Sequence, residues 1–381
     1  MENSKKHVLI VAGEASGDLH AAHLVDAIRE CDPNITFSGV GGKKMSASGV
    51  ELYENITNLA VVGFWEVLTH FKDIKRIFYL LLDKVREQKP DAVILVDYPG
   101  FNLRLAKELR KLNIKVIYYI SPQVWAWKES RVKLIKQVVD RMIVLFAFEK
   151  DFYARHGMDV FFAGHPLLET ISSTEESPYL LKSLGLSPGK TTVGILPGSR
   201  AKEIETMLPV MVDAAQMLYL GDKNLQFIVM RAPTVAKETL ETHLQKSNVP
   251  MAIVDNQTYA GIRASQICMV TSGTATLETA ILQKPMVVVY KTSFFSWLLA
   301  KLFVKIPCIG LVNVVAGKKV VPECVQFDAT PEKISREIRL ILSDATRMSS
   351  IKSELERVKN TLGESGAGTR AAEEIIRVLK T

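Results

Sequence analysis

Short apolar, β-branched runs alternate along this chain with longer segments whose apolar residues recur every three or four positions. In the first half the runs are "HVLIVAGE", "TFSGVGG", "DAVILVDYPG", "KVIYYIS" and "RMIVLFA", with helical periodicity over 17–30, 63–88 and 102–112. Unbroken apolar runs mark strands buried on both faces, and helix-length connections between them call for parallel neighbours. The pattern therefore predicts a doubly wound parallel sheet. It restarts near residue 190 with "TTVGILPGSR", a helical 203–220, "NLQFIVMRAP", a helical 235–246, "PMAIVD", "QICMVTSG" and "PMVVVYKT", which predicts a second parallel unit. Between the two, "SSTEESPYLLKSLGLSPGK" is rich in Ser, Glu, Pro and Gly and reads as a surface linker. From Pro331 onward the chain reads as helical, with a "GESGAG" break before a final helix.

A length of 381 residues, 48% of them hydrophobic, is enough for two cores. Cys31, Cys268, Cys308 and Cys324 are widely spaced with no metal-ligand pattern, so neither a disulfide framework nor a zinc site is expected and a reducing cytoplasm fits. The formal charge of +7 admits nucleic acid, an anionic membrane or anionic substrates as partners. The basic residues are scattered and carry no nucleic-acid-binding signature, so nucleic acid ranks last. The apolar run Val8 to Ala12 is too short for a signal-peptide core, and charge interrupts the longer apolar stretches before they reach a membrane span.

In doubly wound folds ligands bind at the C-terminal ends of the strands, so chemistry is sought in the loops there. The first such loop, "AGEASGDLH", offers a permissive turn at Gly13, Ser16 and Gly17 with Glu14, Asp18 and His20 as titratable groups. Its spacing is not that of a dinucleotide fingerprint, so a nicotinamide enzyme is not expected. An ordinary strand-to-helix turn explains the same residues equally well. "ILVDYPGFN" ends a buried strand on Asp97, a carboxylate that is costly to bury without partners or a task, and the best general-base candidate in the chain. The bland alternative is that Asp97 braces the turn.

In the second half, "ILPGSR" places Ser199 and Arg200 at a glycine turn into a helix, and "VMRAP" places Arg231 at the next strand end. "MVTSGTATLETA" sets Ser272, Gly273, Thr274 and Thr276 where a strand hands over to a helix, followed by Glu278. Small residues at a helix start leave backbone N–H groups free at the positive end of the helix dipole, a natural seat for phosphate. Glu278 lacks the Ser or Thr three positions earlier that a capping box requires, which favours a role for it on ribose hydroxyls. These loops together predict a nucleoside-diphosphate site. No D-x-D pair occurs, so metal-independent chemistry with no cofactor is expected. Two apolar, basic stretches remain: 60–82, with Val61, Val62, Phe64 and Trp65, and 294–306, with Phe294, Phe295 and Trp297 beside Lys301 and Lys305. Core packing is the commoner fate of such residues, but aromatics flanked by lysines also suit a lipid headgroup boundary.

The motifs "VAGEASGD", "DYPGFN", "SPQVWAW" (121–127), "GHP" (164–166), "LPGSR", "SGTATLE", "LVNVVAG" (311–317) and "VPE" (321–323) occur in the order seen in lipid A disaccharide synthases. The chain resembles that family from about residue 7 to 330. The resemblance implies a GT-B fold: two Rossmann-like domains facing a cleft, here 1–170 on the acceptor and membrane side and 190–345 on the nucleotide-sugar side, with 346–381 returning to the first domain. It implies an inverting transfer from UDP-2,3-diacylglucosamine to 2,3-diacylglucosamine 1-phosphate, releasing UDP. Asp97 matches the family's proposed base, while Gly100 stands where some members carry a second Asp. Arg200, the 272–276 loop, Glu278 and Asn313 match the donor-nucleotide side, and Glu14 with its glycine loop falls near the acceptor's phosphate or sugar. The lipid substrates imply peripheral attachment to the anionic inner face of the inner membrane. A homodimer is kept as an expectation. The rival readings are a soluble UDP-N-acetylglucosamine 2-epimerase, which shares the architecture, and a basic nucleic-acid-binding protein.

Overall fold

The computed structural model describes residues 5–55, 71–174, 177, 179–245, 247–293, 297 and 307–381. The chain forms two compact units, Met1–Pro166 with Gly363–Thr381, and Leu167–Leu362.

The first unit is built on seven parallel strands: β1 (His7–Ala12), β2 (Thr36–Gly41), β3 (Glu51–Asn55), β4 (Ala92–Val96), β5 (Lys115–Tyr119), β6 (Arg141–Val144) and β7 (Phe161–Phe162). Their order in the sheet is β3-β2-β1-β4-β5-β6-β7. Successive side chains of a strand point to opposite faces, and both faces are covered here, which is why β1 reads as a continuous apolar run. Val8, Ile10 and Ala12 join one buried cluster, and Leu9 and Val11 join the other.

The second unit carries six parallel strands: β8 (Thr191–Leu196), β9 (Leu225–Arg231), β10 (Met251–Asp255), β11 (Ile267–Thr271), β12 (Met286–Tyr290) and β13 (Glu323–Val325). The order β10-β9-β8-β11-β12-β13 repeats that of the first six strands of unit one. In each sheet the winding direction reverses once, between β1 and β4 and between β8 and β11. Such a reversal opens a crevice beyond the strand ends, so the loops after these four strands are the ones the topology selects for ligands.

The observed boundary falls at Pro166, and the expected linker is part of the second unit's packing. Leu168, Ile171 and Leu180 are buried, and the Arg263 guanidinium donates to the carbonyls of Ile171 and Thr174 at 3.0 and 3.3 Å. Within 172–190 the apolar anchor is Leu180, which the polar composition concealed, and Leu168 and Ile171 lie just before that stretch. The C-terminal expectation is corrected in the same way. Helix Ala345–Thr361 belongs to the second unit, and the segment that joins the first begins at Gly363. Helix Ala367–Lys380 lays Ala371, Ala372, Ile375 and Leu379 into the cluster that holds Ala21, Ala22 and Val25 of helix Ala15–Cys31. Its buried Glu374 pairs with Arg141 and accepts from Arg377 at 2.7 and 2.9 Å. Strands β3, β7 and β13 carry little apolar signal, being polar or only two or three residues long.

Candidate active site

At the reversal in the first sheet, β4 runs into two consecutive residues of positive φ, Asp97 at 46° and Tyr98 at 43°. Neither is glycine, so this turn stores backbone strain that its neighbours must hold in place. They do so through the Asp97 backbone: its N–H donates to Tyr119 O at 3.1 Å, and its carbonyl accepts from Asn102 Nδ2 at 2.7 Å and Tyr118 Oη at 2.5 Å. Helix Pro99–Lys111 starts directly afterwards, with proline at its first position. Gly13, buried at the end of β1, leaves room for Tyr98: a Cβ there would stand 2.4 Å from Tyr98 Cδ1. The glycine of the first motif is thus required by the tyrosine of the second.

Burial, reinforced by the Glu14 carboxylate, pushes the Asp97 carboxyl up to about 6, against the pull of the Tyr98 N–H. An acid poised near the working pH suits a general base. Glu14 is the N-cap residue of helix Ala15–Cys31, partly buried, and its side chain makes no capping bond. Ser16 is exposed and Gly17 buried in the first helical turn. One remaining candidate of that loop is otherwise engaged. Asp18 accepts from the N–H groups of Gly42, Lys44 and Met45 at 2.7, 3.1 and 3.1 Å, capping helix Lys43–Ala47. His20 is partly buried with its Nδ1 unpartnered among the described residues, and burial followed by the His23 charge lowers its imidazole to about 4.

At the reversal in the second sheet a cavity of about 580 Å³ is lined by Ser199, Arg200, Ser272, Gly273, Thr274 and Glu278, among others. Gly273 has φ +153° with open space where a Cβ would be, so the backbone of the loop faces the cavity unshielded. Helix Ala275–Ile281 begins immediately after Thr274. Ser272 Oγ donates to Ile309 O at 2.9 Å, which ties the loop down and leaves the hydroxyl oxygen as an acceptor. Across the cavity, helix Ala201–Gly221 begins at Arg200. Burial raises the Glu278 carboxyl above the usual carboxylate range, opposed by Tyr259 Oη, which donates to it at 3.0 Å.

Three residues expected at this site face elsewhere. Arg231 is paired with Asp255 and donates to Val235 O, closing the loop after β9. Thr276 is buried, and its hydroxyl returns to Gly273 O at 2.8 Å. Asn313 is buried and fully engaged: Nδ2 donates to Val321 O and Glu323 Oε1 at 2.9 Å, and Oδ1 accepts from the N–H groups of Val320 and Val321 at 2.8 and 3.0 Å. Glu323 in turn accepts from the N–H groups of Ile309 and Gly310 at the start of helix Leu311–Ala316. None of the three lines the cavity, and each holds a loop through internal hydrogen bonds.

Sequence reasoning overlooked Glu203, Tyr259 and Glu149. Glu203 Oε2 accepts from Ser199 N–H at 3.0 Å and Oε1 from Arg200 at 3.0 Å. Its position four residues after Ser199, within the first helical turn, was the available signal. Tyr259 follows β10, a strand end that carries no charged residue beyond Asp255 before it. Glu149 is buried behind "SPQVWAW", accepts from Trp125 Nε1 at 3.2 Å, and is pushed by burial up to about 7.

Val61, Val62, Phe64, Trp65, Phe294 and Phe295 lie outside the described residues. Trp297 is partly buried with its ring edge-on to Phe327, centroids 5.1 Å apart. Among the described residues no helix is long and apolar enough to cross a membrane, and no three His, Cys, Asp or Glu side chains gather as a metal site.

The model of the family lipid-A-disaccharide synthetase matches residues 8–376. The chain belongs to that family. It is 43% identical over 378 residues to the lipid-A-disaccharide synthase of Syntrophus aciditrophicus, covering 99% of both chains. Among solved structures it is similar to a calicheamicin glycosyltransferase (TM-score 0.64, 12% identity, 99% of each chain). It is similar as well to the UDP-GlcNAc 2-epimerase of Neisseria meningitidis bound to UDP-GlcNAc (TM-score 0.63, 14% identity, 98% of this chain and 100% of that one). At those identities the likeness is one of fold, and the fold is GT-B. A lipid-A-disaccharide synthase is a glycosyltransferase of lipid A biosynthesis, and this chain is an enzyme of that class.

Proposed function

We propose that the enzyme joins UDP-2,3-diacylglucosamine to 2,3-diacylglucosamine 1-phosphate with inversion, giving the β-1,6-linked disaccharide 1-phosphate and UDP. The observation that carries the chemical part of this reading is Asp97, a strained, partly buried carboxyl raised to about 6 at a sheet reversal. Inversion needs one base. Asp97 takes the proton of the acceptor's primary hydroxyl as that oxygen attacks the anomeric carbon, through an oxocarbenium-like transition state.

The leaving diphosphate is the second demand. The unshielded backbone of Gly273 and Thr274, the start of helix Ala275–Ile281 and the Arg200 guanidinium supply partial and full positive charge where the leaving oxygen gains negative charge. This arrangement supports catalysis without a metal. Glu278, held by Tyr259, is the ribose acceptor in this reading. In this reading acyl chains and anionic lipid hold the enzyme on the cytoplasmic face of the inner membrane, with Val61, Val62, Phe64 and Trp65 and the segment 294–306 as the docking residues, while Ile77, Leu81 and Leu82 farther along the first stretch belong to the core. A homodimer remains part of the proposal.

The test is purified protein with both lipid substrates in detergent and EDTA, comparing wild type with Asp97→Asn. Disaccharide from wild type only, with UDP bound equally by both, supports reaction and base together. Disaccharide from both proteins moves the base elsewhere. Epimerised UDP-sugar without disaccharide replaces the reading with that of an isomerase.

A further inference from the structure

Beyond β5 the chain turns two tryptophans in opposite directions. Trp125 is held inward by Glu149 and packs edge-on against Phe148, ring centroids 5.0 Å apart. Trp127, at the end of helix Val124–Trp127, is 43% exposed. Two cations gather on its indole: Lys128 Nζ lies 4.6 Å from the ring centroid and Arg131 Cζ 5.3 Å. The carboxylate between them in sequence, Glu129, is turned to His156 Nε2 at 3.1 Å. Among the described residues neither Lys128 nor Arg131 makes an ion pair, Glu129 being turned to His156. Two like charges on one ring repel each other, and an anion seated against both relieves the repulsion.

The location says which anion. β5 neighbours β4 in the sheet, so this turn shares its edge with Asp97. The charge of Arg131 is felt at Tyr118, whose hydroxyl donates to the Asp97 carbonyl. We propose that Lys128 and Arg131, with Trp127 as an apolar floor, form the subsite for the phosphomonoester of the acceptor sugar. This rests on the glycosyl-transfer reading above and adds the residues that recognise the acceptor's charge. Guanidinium and ammonium together suit a phosphate dianion, and the exposed indole suits an amphiphile.

The experiment uses the full-length protein, Lys128→Gln, Arg131→Gln and the double variant, with thermal melts to confirm folding. Each is assayed with the 1-phosphate acceptor and with its 1-O-methyl counterpart. Wild type favours the phosphate acceptor, and each lost cation reduces that preference about tenfold, donor KM moving less than about twofold. Arg131→Lys retains part of the preference. A double variant that discriminates as wild type does overturns the subsite. Cosedimentation with phosphatidylglycerol vesicles separates the other source of lipid phosphate: loss of vesicle binding with discrimination intact assigns the cluster to headgroups and overturns the proposal. Equilibrium dialysis of radiolabelled acceptor in detergent reads the subsite without turnover: binding lost in the double variant supports it, and binding retained overturns it. If wild type binds acceptor but forms no disaccharide, the glycosyl-transfer reading fails while the dialysis result still decides the subsite.

Discussion

The Glu203 carboxylate accepts the Ser199 backbone N–H at 3.0 Å and pairs with Arg200 at 3.0 Å, so a side chain of the helix's first turn already occupies two donors suited to a diphosphate. A ligand phosphate has to displace it. Removing the charge while keeping the shape lightens that competition, so Glu203→Gln is expected to tighten UDP binding about threefold to tenfold at low salt, measured by calorimetry. Weaker binding would mean that Glu203 holds Arg200 in its working position instead.

Asp97 links activity to stability with opposite signs. Its folded value of about 6 lies above the ordinary 3.8, so the native state favours the protonated carboxyl, and stability falls as pH rises from about 4 through about 6. At pH 7 the difference corresponds to at most about 3 kcal/mol. Asp97→Asn is therefore expected to melt at a higher temperature than wild type at pH 7, to lose that advantage near pH 4, and to be inactive. In wild type kcat/KM rises with pH through about 6 as the base ionises, and Glu14→Gln, which removes a neighbouring negative charge, moves that acid limb to lower pH. A limb unmoved by Glu14→Gln would separate the two residues.

The parallel, doubly wound character of both units, most of their strands and the four loops at the two reversals were legible because buried parallel strands are apolar throughout and sit between periodic helices; the order of the strands was not. The Asp97 turn and the 272–274 loop were legible for the same reason: charged or hydroxyl residues directly follow an apolar run. What escaped is what depends on side-chain direction. Arg200 and Arg231 both end a strand in sequence, yet one lines the cavity and the other is folded onto Asp255. Asp18 and Glu14 sit four residues apart, and only the structure shows that three backbone N–H groups converge on Asp18. Polar composition also misled at 172–190, where buried Leu180 and the Arg263 bond to Thr174 O tie the surrounding Ser and Glu to the second unit.

Gly13 and Tyr98 form a fitted pair. Gly13→Ala places a methyl group 2.4 Å from the Tyr98 ring, forcing the ring or the strained 97–98 turn to move. Overpacking of this kind costs about 1–3 kcal/mol, and the displaced turn carries the base, so activity falls more than stability alone accounts for. Adding Tyr98→Ala should restore much of the melting temperature. Absence of that rescue would show that the alanine meets some other group.

Glu374 anchors the C-terminal helix. It is 4% exposed and shared between Arg141 and Arg377, so Glu374→Ala leaves Arg141 short of a buried partner and is expected to destabilise the first unit by about 3 kcal/mol. Hydrogen exchange should show faster opening across residues 367–380 and little change in 191–290. Uniform acceleration across the chain would mean that the two units unfold together.

Asn313 separates a structural brace from a ligand contact. All four of its hydrogen bonds are internal, and one joins it to Glu323 at 2.9 Å. Asn313→Asp replaces that donor with a second carboxylate beside the first, and two carboxylates at such a distance cannot both ionise without raising the pKa of one. The folded variant then holds a proton more tightly than the unfolded chain, so its deficit in melting temperature is largest near neutral pH and shrinks as pH falls through the raised value. Ser272 is tied to Ile309 of the same braced region, so UDP binding should weaken in step with that loss of stability and recover with it in acid. If UDP affinity drops in Asn313→Asp while the melting temperature stays at the wild-type value across the same pH range, Asn313 meets the nucleotide itself.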